Sequence, residues 1–252
     1  MDYRVQLALG LAAITAASLV RAEAHHRHWS YSGMEGPGHW AELDHQFAAC
    51  SAGKSQSPID IRTGAARREA LPALEFSYAP SALHIVDNGH TVQVKVDPGS
   101  FLTVAGDRYE LVQFHFHHPS EERLDGKGTD MVAHLVHRNS NGKLAVVAVP
   151  LISGKPNAMV ETLWQHLPNR KEIESTPNGV RINPGALIPP NHSYFAYAGS
   201  LTTPPCTEGV RWIVLKSPQT LSEPEIATFA SLYPNNARPV QMLHGREVLA
   251  RP

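Results

Sequence analysis

The stretch DMVAHLVHRNSNGKLAVVAVPLI, residues 130–152, limits the fold more than any other part of the chain. Two apolar runs flank Asn141-Gly142, and Asn-Gly between such runs is the strongest short hairpin signal, because both residues tolerate the positive φ of a tight turn. The same grammar recurs from residue 59 onward. ALHIVDNGHTVQVKV predicts two strands around Asp87-Asn88-Gly89, and SFLTVAG, RYELVQFHFHH, SYFAYAGSL and RWIVLKSP predict further strands. Helical patterns are few: NAMVETLWQHL, and SEPEIATFASLY with Ser222, Pro224 and Glu225 at its start. No repeat or linker divides the chain, and 252 residues suit one large domain. The fold class is predominantly β: a single domain on a large, mainly antiparallel central sheet with a few short peripheral helices.

The N-terminus predicts export. Arg4, an apolar run from Val5 to Val20, and Ala22-Glu23-Ala24 have the layout of a secretory signal, so residues 1–24 are expected to be cleaved and the domain to span 25–252. The run is shorter than the roughly 20 apolar residues a spanning helix needs, which argues against a membrane anchor. The periplasm is the expected destination, with full secretion the alternative. In such a compartment Cys50 and Cys206, the only two cysteines, suit a disulfide rather than free thiols. The segment after the leader, with Trp29, Tyr31 and Trp40 as aromatic anchors, reads as an irregular strip lying across the domain. A net charge of −1 gives no sign of a nucleic-acid or anionic-membrane partner.

QFHFHHPSEE, residues 113–122, carries the chemistry. Alternation along a strand puts His115 and His117 on one face, with α-carbons about 6.6 Å apart, and turns Phe114 and Phe116 toward the other. Two imidazoles at that spacing can share one ion. In MVAHLVHRN, His134 and His137 face opposite ways, so only one can join them. Three neutral imidazoles without a thiolate favour zinc with a position left for water. Spacing alone leaves satisfied core histidines as the other reading. His118 faces away from its neighbour and reads as a bystander.

With QFHFH, AHLVH and SLTTPPCTEGVRWIV taken together, the chain resembles an α-class carbonic anhydrase of the secreted bacterial type. GPGHW, SQSPIDI, NGH at 88–90 and NNARPVQ at 235–241 extend the resemblance over nearly the whole mature chain. It implies interconversion of carbon dioxide and bicarbonate with one zinc per chain, bound by His115, His117 and His134. It further implies that Thr202 is the hydroxyl beside the zinc's solvent ligand, with Glu121 as its acceptor, and that His90 is the proton shuttle. Gln113 would support the first histidine. Val136, Val146, Leu201, Thr203 and Trp212 would form the substrate wall, and Cys50 and Cys206 match the disulfide of secreted members.

Two positions depart from the family pattern. The glutamate expected two residues before the third histidine is Val132, and Glu122 stands where a histidine is common; Glu122 is therefore expected to reach His134 from across the strand pair. Ala237 replaces a usual aromatic residue, with only local packing effects expected. A non-catalytic relative and a periplasmic zinc-binding protein are the competing readings, and the sequence leaves room for a homodimer.

Overall fold

A computed structural model describes residues 28–251. The predicted leader and His25 and His26 lie outside the described residues.

Twelve strands form one mixed sheet. Its spine runs, neighbour by neighbour, through Arg67–Arg68, Leu249–Ala250, Tyr194–Ser200, Glu208–Leu215, Leu144–Ser153, Met131–Arg138, Asp107–His117, Val92–Lys95 and His84–Asp87. Both predicted hairpins form: His84–Asp87 pairs antiparallel with Val92–Lys95, and Met131–Arg138 with Leu144–Ser153. Asn139 Oδ1 braces the second turn by accepting from the N–H groups of Asn141 and Lys143. Most pairings are antiparallel. Leu144–Ser153 instead runs parallel to both Glu208–Leu215 and Gln219–Leu221, as does Leu249–Ala250 to Arg67–Arg68.

Alternation divides the apolar residues between the two faces. Phe114, Phe116, Leu135, Val147 and Val149 join one cluster, together with Val160, Leu163 and Phe229 of the two longest helices. Those helices are Ala158–Gln165, capped by Asn157, and Glu223–Leu232, which opens with a capping box between Ser222 and Glu225. Val132, Val146, Ala148, Trp212 and Val214 pack on the other face with Ile59, Ile61 and Phe195. Burying each such side chain contributes roughly 1.5–3 kcal/mol, enough to fix the strand registers.

The N-terminal strip, read as irregular, contains two short helices, Trp40–Leu43 and Ala49–Ala52. It is fastened by the Cys50–Cys206 disulfide and by a cluster of Trp40, Phe47 and those cysteines.

Candidate metal centre and its cavity

Strand register decides which histidine joins the pair. His134 lies directly opposite His115 across the antiparallel ladder. A bulge between Val136 and His137 follows, and His137 is buried elsewhere, against Tyr78. One ring nitrogen from each of His115, His117 and His134 lies within 4.8 Å of the others, the only such group of three among the described residues.

Each ring is held from behind by an acceptor. Gln113 Oε1 is 2.8 Å from His115 Nδ1, and the carbonyl of Asn236 is 2.7 Å from His117 Nδ1. Glu122 Oε1 and Oε2 lie 3.0 and 3.2 Å from His134 Nε2. An acceptor behind each ring takes the N–H there and leaves the inward nitrogen a lone pair. Three lone pairs therefore converge: Nε2 of His115 and His117, and Nδ1 of His134. Nε2 of His117 is buried with no hydrogen-bond partner in the protein, an uncompensated acceptor of the kind a metal ion satisfies. The donor set and its geometry fit zinc.

Electrostatics agree. Burial, helped by the nearby His134, pushes His115 down to about 3, and His117 is likewise held well below the ordinary imidazole range. Both stay neutral at physiological pH, as ligands must. Burial also opposes charge on His134, but Glu122, by charge and hydrogen bond, and then Glu121 more than reverse this, and its pKa ends raised.

Glu121 is fully enclosed behind the histidines. Its Oε1 accepts the Arg238 N–H at 2.8 Å, while no donor meets Oε2 at ordinary hydrogen-bond geometry. Burial pushes its pKa up to about 7; His134, the Arg238 N–H and hydrogen bonding from Thr202 pull the other way. The Arg238 guanidinium is spent on Gln56, Ser57 and Cys50, which ties this carboxylate to the disulfide.

The histidines open into a cavity of about 240 Å³. Val136, Val146, Leu201, Thr202, Thr203 and Trp212 line it, as do Gln113 and His90. Trp212 meets His134 edge to face at 4.9 Å and donates from Nε1 to Ser200 O. Gly199 makes that approach feasible, since a Cβ there would sit 2.1 Å from Ser57 Oγ and 2.6 Å from Trp212 Cδ1. Two roomier depressions, of about 620 and 590 Å³, lie elsewhere and contain none of the three histidines. His118 is outside the cavity, with Nδ1 2.9 Å from Pro234 O. Ala237 is half-buried between Asn236 and Arg238.

Trp29 and Tyr31 also line the cavity, and Asn236 and Arg238 brace it, although the sequence placed none of them at the site. Their only signals were the aromatic anchors of the N-terminal strip and the NNARPVQ motif.

A mixed sheet carrying three converging imidazoles, backed by two buried carboxylates, defines a three-histidine metal-binding type of centre. The chain matches the family model described as eukaryotic-type carbonic anhydrase over residues 35–252, and it belongs to that family. It is 43% identical to the carbonic anhydrase of Nostoc sp. over 224 residues, covering 88% of this chain and 85% of that one. Identity to the carbonic anhydrase of Pectobacterium carotovorum is 39% over 255 residues, covering 99% and 100%. Among solved structures, the α-carbonic anhydrase of Thermovibrio ammonificans, in complex with the inhibitor sulfanilamide, superposes with a TM-score of 0.85 at 41% identity, covering 88% and 99%.

Proposed function

We propose that this carbonic anhydrase performs reversible hydration of carbon dioxide at a zinc ion held by His115, His117 and His134. The observation that carries the reading is the convergence of three imidazole lone pairs, each ring locked by an acceptor behind it. Bound zinc would supply a Lewis acid that brings the pKa of water to about 7, a figure that comes from carbonic anhydrases themselves.

The chain's own residues do the rest. Ionised Glu121 can only accept, so the Thr202 hydroxyl donates its hydrogen bond to it, and the Thr202 oxygen is left to accept on its cavity side. The attacking oxygen donates to it and is turned toward the carbon. Burial makes the Glu121 charge costly, and a divalent cation nearby offsets that cost. Val136, Val146, Leu201 and Trp212 offer an apolar wall to a substrate that needs little hydrogen bonding, beside Thr203. His90, at the cavity's edge, accepts the released proton and passes it to solvent.

Export fits the same reading: residues 1–24 serve as a signal peptide, the mature domain begins at 25, and the disulfide suits a periplasmic destination. Among the described residues no helix is long and apolar enough to cross a membrane.

Stopped-flow hydration of carbon dioxide, before and after chelation, tests the proposal. The expected result is one zinc per chain, activity lost on chelation, and recovery with zinc. A zinc-loaded chain without hydration activity would refute it.

A further inference from the structure

Three different devices orient the three histidines. His115 leans on Gln113, two residues earlier on the same strand and face, at 2.8 Å. His117 uses the backbone carbonyl of Asn236. The position that stands to His134 as Gln113 stands to His115 is residue 132. It holds Val132, buried among Ile59, Ile61, Val146 and Phe195, with nothing to accept an N–H. Both oxygens of Glu122 instead meet His134 Nε2, at 3.0 and 3.2 Å.

We propose that Glu122 is the positioning residue of His134, and that the turn carrying Glu121 and Glu122 thereby governs metal retention and nucleophile orientation together. The proposal rests on the reading that the three histidines hold zinc.

A carboxylate accepting the outer N–H fixes the tautomer, stops the ring from rotating and strengthens the inward nitrogen as a donor. Glu122 is buried, so water does not compete for the contact. Its backbone is pinned on both sides. Ser120 Oγ accepts the Thr129 N–H at 2.7 Å and donates to Glu122 O at 3.1 Å. The N–H groups of Arg123 and Asp125 donate to Ile59 O and Ile61 O, at 3.2 and 2.9 Å. A carboxylate at 132 would ride on the His134 strand and be indifferent to this turn. Here the two acids are chain neighbours, one behind Thr202 and one behind His134, so slack in the turn reaches both.

The test measures zinc release from the loaded enzyme into excess chelator, a readout separate from turnover. Glu122→Gln keeps the side chain's size and is expected to release zinc about 10–100-fold faster than wild type. Adding Val132→Glu to that variant restores a carboxylate where Gln113 sits relative to His115, and is expected to slow release again. Ser120→Ala, which loosens the turn, is expected to speed release and lower turnover together. Release from Glu122→Gln at the wild-type rate would overturn the positioning role. So would fast release unrelieved by Val132→Glu in a double variant whose metal-free form melts with the single variant. A Ser120→Ala chain that changes only one of the two readouts overturns the shared turn. A wild-type chain that takes up no zinc would overturn the underlying reading itself, a failure distinct from these.

Discussion

Trp29 lies flat on His90, with ring centroids 3.7 Å apart and planes 6° from parallel. One face of the imidazole is thus covered by the N-terminal strip. The backbone beneath is fixed by Asn88 Oδ1, which accepts the His90 N–H, and by Asn236 Nδ2, which donates to His90 O.

That cover has a consequence for pH. Burial, with help from His28 and Lys171, lowers the His90 pKa below the ordinary 6.5. A lowered imidazole pKa favours the neutral ring, the form that accepts a proton. In weak buffer the limb that His90 contributes is therefore expected below pH 6.5, separate from the ionisation of the attacking water at about 7. His90→Ala should slow turnover by on the order of 10²-fold, the low end for a general acid–base group, with recovery in imidazole buffer. Trp29→Ala should raise the His90 pKa and move the acid limb upward. Stopped-flow pH profiles and NMR titration of His90 check both; an acid limb indifferent to Trp29 removes the stacking argument.

His137 makes a prediction about stability. Its ring is fully enclosed, with Nε2 2.6 Å from Tyr78 Oη and Nδ1 3.3 Å from Ala145 O. Burial pushes its pKa down to about 4. Between about pH 6.5 and 4 the unfolded chain binds a proton here that the folded chain refuses. This contribution is fully present above pH 6.5 and is lost as pH falls, by up to about 1.4 kcal/mol per unit. Urea unfolding of His137→Gln against wild type, at pH 7 and pH 5, should show the smaller acid loss in the variant. Equal losses would mean that His137 is not the titrating group.

The Cys50–Cys206 disulfide joins residues 156 apart in sequence and lies just beyond the cavity residues Thr202 and Thr203. Cys206 N–H donates to Thr203 O at 2.8 Å, so the bridge holds the end of that loop. Replacing both cysteines by alanine is expected to cost roughly 2–5 kcal/mol. Thermal unfolding with and without reductant checks this, and an unmoved midpoint would count against it.

Legibility followed the range of the interactions. The hairpin at Asn141-Gly142, the alternation of QFHFH and the Ser222 cap are local, and each is visible in a few residues. Parity narrowed the third histidine to His134 or His137; the choice between them needed the pairing with His115 and the bulge after Val136, which depend on tertiary register. The parallel neighbours of Leu144–Ser153 come from far along the chain and have no local signature. Asn236 was hardest to foresee, because a backbone carbonyl leaves no mark in a sequence. Val132 was readable as a departure, but the carboxylate contact to His134 became a distance only in three dimensions.

Asn236 also joins distant parts of the chain at the centre. Its carbonyl orients His117, and its side-chain amide donates to the carbonyls of His90 and Phe116. Two residues on, the Arg238 N–H holds Glu121. A nascent chain that stops short of this segment already possesses all three imidazoles but lacks the braces that aim one of them and secure the acid behind Thr202. The centre is complete only once this segment, 119 residues beyond His117 in the chain, has docked against the histidine strands.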